Sequence, residues 1–398
     1  MTAAAGPLQG IRVLDFSIAL TGPYATALMG DQGAEVVKVE RPGIGDIGRW
    51  IGVSVNDMGA FFLVCNRGKR SIALDLHQPR AVEIALALAR HVDLVVENFR
   101  PGVMDRLGLG YEHIRAINPD VVYASLTGFG AVGPYKDRSA YDTVMQAYGG
   151  FATNQADPET GTPVFLRQTA ADKVTALFAS QAMTAALLAR ANGAGGQHVE
   201  LSMADAVVSF LWADSAGNEV LLDSDGSMNS SFVAGFKPMR FEDGWGIVTP
   251  TSDADFAGMC RALHVEGYDD PRVATVGERR KHREVMEPIM DMCYAQAANL
   301  TQAAATARFE AERVPFAMIL SPEQIVDDEH AVAIGLFEEH DHHIVGRTRI
   351  PRHPTRFGAT PATLGTGSPG LGEHTDMILG ELGLGDEIGA LRADGVVA

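Results

Sequence analysis

The sequence predicts an α/β protein: a doubly wound parallel sheet in a large domain, followed by a smaller α+β domain. Three observations carry that prediction. Short β-branched runs alternate with helix-length segments from Ile11 to Phe129, and such alternation builds βαβ units and a parallel sheet. The chain has 398 residues, enough for two domains. Its character changes after about Ser209, where a polar, Gly/Ser-rich stretch precedes a new block of strand and helix signals.

The elements follow in order. "IRVLDFS" (11–17) reads as a strand, and "TGPYATALMGDQG" (21–33) as a helix opened by Gly-Pro and closed by Gly. "AEVVKVE" (34–40) is the next strand, and "RSIALDL" (70–76), "VDLVVENF" (92–99) and "DVVYASLTGF" (120–129) continue the sheet, with a helix at 79–91. Such a sheet binds ligands at the carboxyl ends of its strands. "RQTAADKVTALFASQAMTAALLAR" (167–190) reads as a helix of small and apolar residues with Asp172 near its start. A carboxylate there reads as a cap suited to the positive helix end. The uncharged run Val174 to Ala189 is too short and too rich in Ser, Thr and Gln to span a bilayer. The expected division is 1–210 for the first part of the large domain, 211–235 for a linker, 236–325 for the small domain and 326–398 for a final segment. Within these, 244–250 is strand-like, 284–298 helical, 340–372 extended and surface-hugging, and 372–382 a terminal helix.

Composition excludes several classes. Hydrophobic residues make up 46% and charged residues 21%, ordinary values for a globular protein. A net charge of −18 argues against nucleic-acid or anionic-membrane partners. Three scattered cysteines suit neither a disulfide framework nor a cysteine-ligated zinc site and fit a reducing cytoplasm. The opening "MTAAAGPLQG" has no secretory pattern.

"GIGDIG" (43–48) matches G-x-G-x-x-G, but no helical periodicity or spaced acidic residue follows it, so it reads as a flexible loop near a ligand. "EEHDHH" (338–343) reads as a solvated turn, because adjacent residues rarely converge tetrahedrally on a metal. Neither a G-x-S-x-G elbow nor a P-loop occurs. Arg41, Arg67, Lys69, Arg70, Arg100 and Arg106 fall near predicted strand ends, where they would focus positive charge on a phosphorylated ligand or else lie as surface arginines.

Several stretches, in this order, resemble the family III coenzyme A transferases, a superfamily that includes formyl-CoA transferase, carnitine CoA-transferase and α-methylacyl-CoA racemase. They are "GAEVVKVERPGIGD", "NRGKRSIALDL", "VENFRPGVMDRLGLGYEHIRAINPDVVYASLTGFG", "GPYKDRSAYDTVMQAYGG", "GGQHVELSMADA", "RVPFAMILSPEQIV" and "SPGLGEHTDMIL". The resemblance implies a Rossmann-like large domain completed by the returning C-terminus and an interlocked homodimer. It implies coenzyme A, acyl-CoA and a carboxylic acid as substrates, with no permanently bound cofactor and no metal. It makes Asp172 the nucleophile, passing through an aspartyl anhydride and an aspartyl-CoA thioester, with the helix end holding the carboxylate ionised and nearby backbone N–H groups stabilising the oxyanion. By position it assigns coenzyme A contacts to Arg41, Leu74, His77, Asn98, Phe99, Arg100 and Arg106, and the acyl pocket to Leu20 and Tyr141.

The sequence also departs from the pattern. Leu20 stands where formyl-CoA transferase has a glutamine, which points away from formate and oxalate. His77 stands where a lysine is common, and Ala176 where a glycine is common. "VAGFKPMRFEDGW" (233–245) occupies the place of a glycine-rich lid. Tyr141 occupies the place of the racemases' histidine, and a phenol is a poor base at neutral pH. Transfer is therefore the leading activity; an acyl-CoA racemase, another isomerase and an inactive CoA-binding protein are the alternatives.

Overall fold

In the computed structural model, which describes residues 6–223, 235–365 and 367–398, the alternating runs form one six-stranded sheet. Its strands are β1 (Arg12–Asp15), β2 (Glu35–Glu40), β3 (Arg70–Ala73), β4 (Leu94–Glu97), β5 (Val122–Thr127) and β6 (His198–Ser202). All neighbours are parallel, in the order β3-β2-β1-β4-β5-β6. That order reverses between β1 and β4, which makes the crevice outside their carboxyl ends the natural ligand position.

Both faces are covered, which is why the strands read as nearly unbroken apolar runs. Helices α1 (Thr21–Asp31), α2 (Pro79–Ala89), α3 (Asp142–Tyr148), α4 (Ala170–Ala189) and α5 (Met203–Ser215) follow in chain order. Ala25 and Met29 of α1 and Ala176, Ala179 and Met183 of α4 pack on Val13, Val96 and Val122. The small side chains let α1 and α4 lie close together on this face. On the other face, Ala81, Ile84 and Ala85 of α2 meet Leu14, Val37 and Ile72. The helix begun by α4 continues to Ala194, long and apolar enough by length and composition to cross a membrane. That is longer than the sequence reading allowed. Its buried stripe lies on the sheet, as in the core helix of a soluble protein.

The chain divides into two compact units, Met1–Leu222 with Gly335–Ala398, and Asp223–Ile334. The second has its own antiparallel sheet of β7 (Met239–Phe241), β8 (Gly244–Val248) and β9 (Phe316–Met318). Helices α6 (Asp253–Ala262), α7 (Arg283–Ala297) and α8 (Gln302–Glu312) supply its core of Phe256, Met259, Cys293 and Phe309. A capping box between Ser252 and Asp255 starts α6. Of the final segment expected at 326–398, residues 326–334 lie in the second unit and only Gly335–Ala398 belongs to the first. It forms a hairpin of β10 (Phe337–His342) and β11 (Gly346–Pro351), then α9 (Thr375–Glu381) and α10 (Ile388–Ala393). Val397 bridges Leu74 beyond the edge strand, and Ile378, Leu379 and Leu391 enter the core beside Ile72.

Four local expectations are corrected. "EEHDHH" lies in strand β10, paired register by register with β11, and His342 is buried with Nε2 2.8 Å from the Ser368 carbonyl. The stretch from 340 therefore starts as a hairpin. The helix expected at 372–382 spans only Thr375–Glu381 and is not terminal, since α10 follows. The polar stretch read as a linker from 211 begins helical, because α5 runs to Ser215 and a turn follows at Gly217–Val220. Residues 224–234, which fall within that linker and hold the start of the lid-position segment, lie outside the described residues.

A buried charge network supports the crevice. Lys69 Nζ lies 2.9 Å from Asp15 Oδ2 and also donates to the Pro23 carbonyl and Asn66 Oδ1. Lys38 Nζ lies 2.8 Å from Asp46 Oδ2 and donates to the Ser17 carbonyl at 2.7 Å. All four charged side chains are fully buried. Burial pushes the Asp15 carboxyl up, but Lys69 and Lys38 overcome that and lower it to about 2. Asp46 Oδ1 accepts the backbone N–H of Ala19 at 2.8 Å. It thereby holds a non-glycine residue at φ 65°, a conformation that costs roughly 1–2 kcal/mol. Replacing one member of a buried ion pair leaves an uncompensated charge. Lys69→Met should therefore cost about 3–5 kcal/mol in urea unfolding at pH 7, with a smaller deficit near pH 4, where the orphaned Asp15 takes a proton; a loss below about 1 kcal/mol would refute this account.

Candidate active site

The crevice between β1 and β4 is closed by two loops that grip each other. Ile18 N donates to Asn98 Oδ1, and Asn98 Nδ2 donates to the Ile18 carbonyl, both at 2.8 Å. This clamp and the Asp46–Ala19 bond fix the turn into α1, whose first residue is Thr21. The Thr21 hydroxyl donates to Asp172 Oδ1 at 2.7 Å.

Asp172 is not a cap. Thr169 holds the N-cap position of α4, and Asp172 is its third residue, turned toward α1. Its backbone N–H donates to Asp142 Oδ1 at 3.1 Å. Asp142 is buried at the start of α3 and also accepts from Gln146 Nε2 at 2.6 Å. Burial pushes the Asp172 carboxyl up to about 6; the Thr21 bond opposes that rise and the Asp142 charge adds to it. Desolvation is the largest influence on this carboxyl. At neutral pH it is still mostly ionised.

Around Asp172 lies a cavity of about 340 Å³ lined by Leu20, Thr21, Asn98, Arg138 and Tyr141, among others. A second cavity of about 440 Å³ is lined by Arg41, Trp50, Leu74 and His77 and is largely apolar. The two share Ile18, Ile47 and Phe99, so the slot and the Asp172 cavity adjoin across these residues. The Phe99 backbone N–H donates to Glu97 Oε2 at 2.8 Å, which sets the shared wall.

Most of the residues singled out from sequence meet here. Arg41, Leu74 and His77 line the slot; Leu20, Asn98, Arg100, Tyr141 and Asp172 line the adjoining cavity; Phe99 lines both. Leu20 is buried and Tyr141 stands 73% exposed at the mouth. Arg106 lines neither cavity. The basic cluster does not converge on a ligand as a whole. Arg67 is buried against Asp31, Lys69 against Asp15, and Arg70 pairs with Glu381. "GIGDIG" runs into a short 3-10 turn at Ile47–Trp50 with Asp46 buried beneath it, and so is an anchored wall of the slot. Sequence reasoning missed Thr21, Asp142, Lys136 and Arg138. Asp142 had one signal, its position directly after Tyr141.

The raised carboxyl gives a stability test. An acid whose folded pKa of about 6 exceeds its unfolded value of 3.8 opposes folding increasingly as pH climbs through that window. Asp172→Asn should therefore melt higher than the parent at pH 7.5 and level with it near pH 4. Equal melting temperatures at both pH values would contradict the burial penalty.

Comparison with known proteins identifies the family. The family model for CoA-transferase family III matches residues 8–375. The chain is 34% identical to succinyl-CoA:glutarate CoA-transferase of Mus musculus, over 98% of this chain and 90% of that protein. It is 31% identical to formyl-CoA:oxalate CoA-transferase of Afipia carboxidovorans, over 94% and 92% respectively. Among solved structures, a CAIB/BAIF family protein from Brucella suis matches with a TM-score of 0.81 and 30% identity, covering 95% of this chain and 100% of that one. With its doubly wound sheet and a match that spans nearly all its length, the chain belongs to CoA-transferase family III and is a CoA-transferase enzyme.

Proposed function

We propose that the enzyme transfers coenzyme A between two short dicarboxylic acids, with Asp172 as the covalent nucleophile. The observation that carries this reading is a half-buried carboxylate, held by Thr21, in a cavity that adjoins a largely apolar slot. Arg41 and His77 would meet the phosphates and Leu74 the adenine; Asn98, Phe99 and Arg100 would follow the pantetheine arm. Asp172 attacks the donor thioester and expels the CoA thiolate. The thiolate then attacks the resulting anhydride, releasing the donor acid and leaving aspartyl-CoA. The acceptor carboxylate reverses the sequence. Each step splits a difficult exchange and conserves the thioester only while water is kept out.

The acyl class follows from the charges at the mouth. Arg100, Lys136 and Arg138 line the Asp172 cavity, and a guanidinium pairs well with a distal carboxylate. The names of the mouse and Afipia relatives both include a dicarboxylic acid. Leu20, buried where formyl-CoA transferase has a glutamine, favours the longer succinate and glutarate over oxalate. Tyr141 shapes the mouth. Among the described residues no histidine lines the Asp172 cavity, so nothing there favours the racemase alternative.

An interlocked homodimer is part of this reading. Leu177, Phe178 and Leu188 of α4 and Phe210 and Trp212 of α5 are large apolar side chains left exposed in one chain, as an interface between copies would use. Three buried free thiols fit a reducing cytoplasm.

Incubation with succinyl-CoA followed by hydroxylamine should place a hydroxamate on Asp172 by peptide mass spectrometry, absent in Asp172→Ala. No adduct, with α-proton exchange in deuterated water instead, would sink the nucleophile. Arg138→Ala should lower kcat/KM for glutarate by roughly 10–100-fold, the worth of a charged hydrogen bond, while a monocarboxylic acceptor changes little. Equal losses for both acceptors would remove Arg138 from acyl recognition.

A further inference from the structure

The double exchange attacks two different carbons, the substrate's acyl carbon and the Cγ of Asp172 itself. We propose that the Thr21 hydroxyl is a catalytic oxyanion donor for attack on the aspartyl carbonyl; the assignment rests on the reading of Asp172 as nucleophile.

The atoms assign themselves from the free enzyme. Oδ1 accepts the Thr21 hydroxyl at 2.7 Å. Among the described residues it is the one hydrogen-bond donor to this carboxylate, which leaves Oδ2 to attack the thioester carbon. The C–S bond breaks, the CoA thiolate leaves with its electron pair, and Oδ2 becomes the bridging oxygen of the anhydride. Oδ1 is then the carbonyl oxygen, still facing Thr21. When the thiolate attacks Cγ, the carbonyl electron pair moves onto Oδ1. Collapse expels the donor acid together with Oδ2 and leaves the aspartyl thioester. An acceptor carboxylate attacks the same carbon, charge returns to Oδ1, and the thiolate is expelled. Thr21 keeps its proton throughout.

In the carboxylate the negative charge is shared by two oxygens, whereas in each tetrahedral species on Cγ it sits on Oδ1 alone. A fixed donor is therefore stronger in the transition state than in the ground state. Thr21 is 4% exposed, so water does not compete for its hydroxyl. Its position is fixed by the Asp46–Ala19 bond and the Asn98–Ile18 clamp. The backbone N–H of Asp172 is already given to Asp142.

The test follows both half-reactions by rapid quench, with succinyl-CoA and glutarate as probes and mass spectrometry of the Asp172 peptide as readout. Thr21→Val should slow both formation of aspartyl-CoA and its discharge to glutarate by roughly 10²-fold, with KM for succinyl-CoA within about twofold, and Thr21→Ser should restore most of the rate. The acid limb of the pH–rate profile should move to higher pH in the Val variant, since the bond that lowers the Asp172 carboxyl is gone. Thr21→Ala replaces the Val variant if the latter melts early. Discharge at the parental rate in the Val or Ala variant, or a Ser variant as slow as Val, overturns the role of Thr21 while Asp172 still labels. Failure of the parent to label at all overturns the nucleophile instead.

Discussion

Everything at the active site depends on charge that has been taken out of water. Asp15, Lys38, Asp46 and Lys69 lie fully buried beneath the carboxyl ends of β1 and β2, where each lone ion would be intolerable and each pair is only tolerable. What the network contributes is position more than net stability. Asp46 holds Ala19 in a left-handed turn, and that turn sets where α1 begins, so Thr21 meets Asp172 across the crevice. Apolar residues of equal volume would support the sheet as well. They would not offer oxygen atoms to the backbone N–H groups of a strained loop.

The same desolvation shapes the reactive carboxylate. A half-buried Asp172 with its carboxyl near 6 is more basic than a solvated aspartate and is less hydrated, both of which favour nucleophilic attack. A carboxylate held much lower would make a poor nucleophile and a stable resting state. Asp142, hydrogen-bonded to the Asp172 backbone N–H, adds its charge in the same direction. Thr21 limits the rise, so the group stays ionised at neutral pH.

Much of this was legible in the sequence, for physical reasons that differ by element. Five strands of the large sheet, β1 to β5, are largely apolar, so their positions could be read within three residues; β6, with His198 and Glu200 along it, was not read. "EEHDHH" could not, because a strand with polar residues on both faces has no apolar period; only its pairing with β11 reveals it. The charges of Arg67 and Lys69 were legible and their partners were not, since Asp31 and Asp15 look like any other acidic residues until the sheet brings them together. Asp172 alone looked like a cap. The residue that marks it otherwise, Thr21, lies 151 positions earlier in the chain. No local pattern links the two.

The bridge between Leu74 and Val397 has a consequence for how the protein comes into being. Leu74 is a wall of the nucleotide slot, and the strand before it is steadied by His374 and Thr375. During synthesis the slot's wall emerges long before its support, since His374 lies 303 positions after Ser71. A nascent chain therefore carries an unfinished sheet edge until that support is made, with the intervening unit made in between. The slot is completed by residues remote in sequence and not by degrees.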